Sequence, residues 1–307
     1  MATRSDLIRN LQWRLEAGCW DVVAAVMRIA PIDAASDFGG WLFKQLGPLT
    51  GAHRTALRNL RLAFPEWDEA ERRKIARAQW ENVGRALFEI FLVDRIVADK
   101  GRIEFVNLER LDEIRQSGRP AIFISGHFAN WEIMAAAGLA AGMEGIVAYR
   151  AANNPYIDAR IIESRRRYGA HLFAPKGLDG GREVMAALSR GVSVGILNDQ
   201  KYDEGVMAPF FGHLARTQHA AVRFAMRFGV RLQPGCVQRT KGARFRIVIH
   251  DPIELERSGS KAADVEAGVR QINEFIEARV RERPSEWWWV HRRFPNELYA
   301  ELAAQGY

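Results

Sequence analysis

The periodicity of this sequence changes once, near Arg119, and that change limits the fold more than any other feature. Downstream, short β-rich runs bounded by Gly or Pro alternate with amphipathic stretches of helical spacing. Strands are predicted at residues 121–125, 146–149, 171–173, 192–197, 231–237 and 245–249, and helices at 131–141, 156–168, 181–190 and 218–228. Such alternation specifies an α/β fold, a mostly parallel or mixed central sheet flanked by helices. Upstream the pattern is helical throughout. Leu7, Leu11 and Leu15 recur at helical spacing, as do Leu57, Leu60 and Phe64, and Pro65 ends that segment before Asp68 caps the next. The chain therefore reads as a helical N-terminal layer, residues 1–100, packed on an α/β domain, residues 101–307.

Charge and cysteine content narrow the possible partners. A net charge of +7 favours an anionic partner: nucleic acid, acidic lipid headgroups or an acidic carrier protein. No zinc-finger spacing, RNA-recognition signature or glycine-rich loop ending in Gly-Lys-Ser/Thr supports nucleic acid, so none is expected as a partner. Two cysteines, Cys19 and Cys236, are too few for a disulfide framework or a cysteine-based zinc site. The most apolar N-terminal stretch, residues 20–32, is interrupted by Asp21 and Arg28 and falls short of the roughly 18 apolar residues of a spanning helix. Neither a transmembrane segment nor a cleaved signal is expected.

Ligands of open α/β sheets sit beyond the carboxyl ends of the strands. Among the residues there, His127, Arg150 and Asp199 are the candidates. An imidazole at such a position can take a proton from an attacking hydroxyl near neutral pH, provided a carboxylate holds its other nitrogen. Glu132, in the first turn of the following helix, and Asp199, past the strand at 192–197, compete for that task. Gly126 would let substrate approach the backbone. A guanidinium at Arg150 can bind a phosphate or a developing oxyanion. The run Arg165-Arg166-Arg167 reads mainly as a solvated helix end.

Gly126-His127-Phe128-Ala129-Asn130-Trp131-Glu132 resembles the motif of the bacterial lipid A biosynthesis acyltransferases of the lauroyl and myristoyl transferase type, a His and an acid separated by four residues. Other segments match in the family's order: Arg54 to Leu60 leading to Phe64-Pro65, Tyr149-Arg150 with Asn153-Asn154-Pro155, and Leu197-Asn198-Asp199-Gln200. Then come Pro209-Phe210-Phe211-Gly212 with Thr217, and Trp289-Val290-His291-Arg292-Arg293-Phe294. The chain also resembles mycobacterial phosphatidylinositol mannoside acyltransferases.

The resemblance implies a glycerol-3-phosphate-acyltransferase-like sheet and transfer of a fatty acyl group from acyl-acyl carrier protein to a hydroxyl of a lipid A precursor. A lysophospholipid or glycolipid acyltransferase using acyl-CoA is the alternative, and a basic nucleic-acid-binding protein, motivated only by the surplus of Lys and Arg, the remote one. The resemblance implies His127 as general base, Glu132 as the motif carboxylate with Asp199 as its rival, and substrate contacts from Arg150 and Asn153. Phe210 and Phe211 would form an apolar loop against the acyl chain, and Arg292 would meet a headgroup. Direct attack on a thioester needs no metal or cofactor, and no serine acyl-enzyme is expected. The protein would then sit peripherally on the cytoplasmic face of the bacterial inner membrane, docked through the Leu7, Leu11 and Leu15 stripe, with Trp13, Trp20, Arg4, Arg9 and Arg14 nearby.

Overall fold

A computed structural model describes residues 4–149, 151–170, 172–175 and 178–307. Five helices come first: α1 (Arg4–Ile29), α2 (Ile32–Leu46), α3 (Gly51–Ala63), α4 (Glu69–Glu89) and α5 (Val93–Ala98). The α/β part runs β1 (Ile103–Val106), α6 (Glu109–Ser117), β2 (Ala121–Ser125), α7 (Ala135–Ala140), β3 (Gly145–Tyr149), α8 (Pro155–Arg167), β4 (Leu172–Pro175), α9 (Leu178–Ser189) and β5 (Ser193–Leu197). It continues β6 (Lys201–Phe210), β7 (His213–Thr217), α10 (Ala220–Phe228), β8 (Arg231–Lys241), β9 (Arg244–Ile249), α11 (Lys261–Glu282) and α12 (Asn296–Ala304).

Seven strands form one sheet in the order β1-β9-β8-β2-β5-β3-β4, parallel at every pairing except β8 with β9. The mixed, mostly parallel sheet is the one predicted. Strand β2 lies inside it, and its near-continuous apolar run, Ala-Ile-Phe-Ile, suits a strand covered on both faces. Ile122 and Ile124 face one core with α9, α10 and α11, whereas Ala121 and Phe123 face a second with α5, α6 and α7. Asp68 caps α4 by accepting from the Glu71 amide at 2.7 Å.

Two features depart from the predicted pattern. Residues 131–141 begin as a 3-10 turn, Trp131–Met134, and only then become α7. Pro209 and Phe210 end β6 of a separate two-stranded hairpin, with Phe211 and Gly212 as its turn. Proline is tolerated there because that strand has a free edge. Among the described residues no helix is long and apolar enough to cross a membrane.

Candidate active site

Strand order brings the first two candidate residues together. Ser125 of β2 is level with Leu197 of the adjacent parallel strand β5, and the Asn198 amide extends the ladder to the Ser125 carbonyl at 2.9 Å. Two residues beyond each strand end stand His127 and Asp199. The Asp199 carboxylate accepts three hydrogen bonds: from His127 Nδ1 at 2.8 Å, the His127 amide at 2.7 Å and Trp287 Nε1 at 2.8 Å. Burial pushes this carboxyl upward, but the His127 ring and these donors outweigh it and hold it well below the usual carboxylate range. An ionised carboxylate can only accept, so Nδ1 carries the proton and Nε2 of a neutral ring is left with its lone pair. Gln200 Nε2 lies 3.4 Å from that nitrogen. Gly126 is required here because a Cβ would stand 2.9 Å from the Phe128 ring and 3.1 Å from Asp199 Oδ2. The close approach at Gly126 is thus made by the protein's own side chains.

A C-terminal strap closes the loop from behind. Trp287 pairs with Phe128 across an antiparallel bridge, and the Ala129 amide donates to the Glu286 carbonyl at 2.8 Å, fixing Ala129 at φ 45°. Asn59 of α3, fully buried, donates to the carbonyls of Trp289 and His291, both at 2.6 Å, which gives the Arg54 to Leu60 segment a structural role. Trp288 stands edge-on to His127 at 5.9 Å and packs on Trp131 at 4.5 Å. Asn130 Nδ2 donates to Glu89 Oε2 at 2.9 Å, and Glu89 is completely buried against Ser36 and Arg239. The helical layer therefore grips the His127 loop through a charged network.

In front of His127 opens a cavity of about 630 Å³, within the range of small-molecule sites. Its floor is one face of the sheet, including Phe123, Gly195 and Val147, and its roof is the 3-10 turn and α7, including Met134 and Gly138. Glu132 lines it without reaching the imidazole ring through any contact the structure shows. Its carboxylate makes a bidentate pair with Arg165 of α8 at 2.7 and 2.8 Å, and Arg165 lies over the Tyr149 ring at 5.3 Å. The arrangement offers a positioned base, a paired cation and a deep apolar recess.

The model of the bacterial lipid A biosynthesis acyltransferase family matches residues 5–296. The chain belongs to that family. A lipid A biosynthesis lauroyltransferase of Escherichia coli K12 is 27% identical over 77% of this chain and 77% of its own. A lipid A biosynthesis myristoyltransferase of the same organism is 27% identical over 92% of this chain and 89% of its own. A palmitoleoyltransferase, also from that organism, is 25% identical over 80% and 79%. As a member of this family the protein is an acyltransferase.

For this acyltransferase, the structure redistributes several residues singled out by sequence. Asp199, the rival, holds the His127 ring, whereas the preferred Glu132 is turned to Arg165, because five residues of chain carry it onto the 3-10 turn. Phe210 and Phe211 are core residues, 0% and 5% exposed, packed among Phe64, Trp287, Trp289 and Phe294 and absent from the cavity wall. Asn153 is exposed. Its neighbour Asn154 is buried, caps α8 and donates to the Trp13 carbonyl and Glu16 of α1. Arg292 is exposed over the Tyr299 ring, and Arg150 lies outside the described residues. Arg293 is 1% exposed and donates to Thr217 at 2.8 Å; burial pulls its guanidinium down to about 10, partly offset by Asp199.

Arg165 is the functional candidate that the sequence did not single out from the run Arg165-Arg166-Arg167. Its place in the basic run that ends α8 hid it, and its pairing with Glu132, 33 residues earlier, is a tertiary fact. The string Gly191-Val192-Ser193-Val194-Gly195 does spell Gly-x-Ser-x-Gly, the signature of a serine acyl-enzyme. Ser193, however, begins β5 at the opposite strand end from His127, is 3% exposed, and accepts from the Ala121 amide at 3.1 Å. It is not on the strand-to-helix elbow that chemistry needs.

Proposed function

We propose that this chain transfers a fatty acyl group from an acyl thioester, carried by acyl carrier protein, to a hydroxyl of a lipid A precursor, with His127 as general base. The observation that carries this reading is the imidazole fixed by a triply bonded carboxylate at the mouth of a deep apolar cavity. Nε2 takes the acceptor hydroxyl proton as the oxygen attacks the thioester carbonyl. The tetrahedral oxyanion then collapses, the C–S bond breaks, and the imidazolium returns its proton to the departing sulfur, which leaves as the thiol and restores neutral His127. Asp199 keeps the ring in the reactive tautomer and offsets its transient charge. Arg165 and Arg150 are assigned to negative charge, the oxyanion or an acceptor phosphate. The acyl chain would lie in the apolar recess, where each buried CH₂ contributes about 0.8 kcal/mol. Mass spectrometry of lipid A from cells with and without the gene tests the acceptor. Loss of one acyl group is expected on deletion; intact lipid A with an altered phospholipid or glycolipid would move the reaction to that acceptor, and acyl-CoA outperforming acyl-acyl carrier protein would change the donor.

A bilayer-resident acceptor requires the enzyme to reach the membrane surface, which we assign to the cytoplasmic face of the inner membrane and to α1. Leu7, Leu11, Leu15, Val22, Val26 and Ile29 fall on one stripe of that helix and are 54 to 86% exposed. Trp20 turns inward and packs on Phe91 at 4.7 Å, the Trp13 carbonyl accepts from Asn154, and the Trp13 ring lies under Arg9 at 5.3 Å. Arg9 pairs with Asp6 and Arg14 lies on Tyr156, while the side chain of Arg4 is outside the described set. Deleting α1 would also strip those packing contacts, so point changes are the cleaner test. Leu7→Gln, Leu11→Gln and Leu15→Gln combined should lower co-sedimentation with phosphatidylglycerol-containing vesicles by at least about tenfold, given roughly 1.5–3 kcal/mol per fully buried leucine, with an unchanged melting temperature. Undiminished vesicle binding would remove α1 as the docking element.

A further inference from the structure

Gly195 occupies the middle of β5, where a glycine weakens a strand and commonly marks close approach of something else. It pairs with Phe123 of β2 on one side and Val147 of β3 on the other, and registered neighbours in a sheet point to the same face. All three line the cavity, yet a Cβ built at Gly195 would meet no heavy atom within 4 Å. The space between two substantial side chains is therefore open. Counting back four residues from Asp199 at about 3.3 Å each puts this gap roughly 13 Å along the strand from the catalytic edge. The next row in is Ser193 beside Gly145, which also line the cavity. Overhead, Gly138 of α7 likewise has no atom within 4 Å of a built Cβ. The recess thus runs from the part beside His127, past a floor position that lacks a side chain at Gly195, to the row formed by Ser193 and Gly145.

We propose that Gly195 sets the length of the acyl chain this enzyme accepts, by withholding a side chain between Phe123 and Val147 and so keeping the inner recess open. The proposal rests on the reading that the recess holds the acyl chain. A side chain grown at Gly195 would cut across the recess and leave the site beside His127, on the far side of Leu197, untouched. Lengthening the side chain stepwise should then shorten the preferred donor stepwise.

The test uses the full chain, a lipid A precursor as acceptor and a graded series of saturated acyl thioesters, comparing Gly195→Ala, Gly195→Val and Gly195→Leu with the parent. The donor giving the highest kcat/KM should move to shorter chains in the order Ala, Val, Leu. Each methylene excluded should cost about fourfold in kcat/KM, the equivalent of about 0.8 kcal/mol. The shortest donors should keep their kcat/KM within about twofold, because they end before the obstruction. Gly195→Val should melt at or above the parent temperature, since valine favours a strand and nothing blocks its Cβ. An unchanged length profile in a variant that melts normally would overturn the proposal, and so would an equal loss for every donor. Gly195→Ala and Gly195→Val keep the test decisive if leucine does not fold. A parent enzyme that transferred none of the series would instead overturn the acyl-recess reading itself.

Discussion

Replacing His127 with alanine should lower the rate of acyl transfer by roughly a hundred- to ten-thousand-fold, the range a positioned general base contributes. The fold should survive. The ring projects into the cavity mouth, whereas the loop that carries it is held by other groups: the Trp287–Phe128 bridge, the Ala129 amide and the Asn130–Glu89 bond. The one buried partner left behind is Asp199, which keeps the His127 amide and Trp287 Nε1 as donors and loses only the ring. A melting temperature close to the parent's, together with bound but unreacted donor, is therefore the expected result. Transfer within about threefold of the parent rate would show that some other group takes the proton. A variant that loses activity and folding together would leave the base unassigned, and His127→Gln, which retains a polar side chain of similar reach, would then serve instead.

Much of the fold was legible because the local signals agree with one another. The strand ending at Ser125 combined an apolar run with the turn residues that follow it, and five of the other predicted strands overlap observed ones. What escaped did so for physical reasons. β1 is a four-residue edge strand containing Glu104, too short to show alternation. The β6–β7 hairpin is interrupted by Gly205 and Pro209, residues that normally mark loops. Helix α11, by contrast, did carry a signal: Val265, Val269, Ile272, Ile276 and Val280 recur at helical spacing and are buried.

The site was legible as a set of residue types and illegible as a set of pairs. A sequence reveals that His127 and Asp199 each follow a strand, but not that those strands are neighbours. Glu132, five residues from His127, seemed the nearer carboxylate. Distance along the chain misled because the five residues form a turn and a 3-10 segment that carry Glu132 across the cavity to Arg165. The same limit applies to Phe210 and Phe211, whose apolar character fits a core and a substrate wall equally well until the hairpin's packing is known.

Asp199→Asn should be the most damaging carboxylate change, lowering turnover by at least about tenfold and toward the effect of removing His127. The amide can present one oxygen to donors that now meet two, so either the ring nitrogen or the pair formed by the His127 amide and Trp287 Nε1 faces an NH₂ group. An asparagine NH₂ opposite Nδ1 favours the tautomer with its proton on Nε2, which cannot accept from a hydroxyl. A buried donor left unsatisfied also costs about 1–3 kcal/mol of stability. Because the folded-state pKa of Asp199 lies below its unfolded value of about 3.9, its contribution is present above that value and disappears as pH falls through the folded one. The stability gap between parent and variant should therefore shrink as pH falls below about pH 4. Glu132→Gln should spare the His127–Asp199 pair and act through Arg165, whose bidentate carboxylate it replaces with a neutral amide. The two are separated by double substitution. If Asp199 works only through the ring, His127→Ala with Asp199→Asn should transfer no more slowly than His127→Ala alone, whereas Glu132→Gln should slow His127→Ala further. Turnover losses under about tenfold for both carboxylate variants would sink the relay, since no carboxylate would then be holding the base.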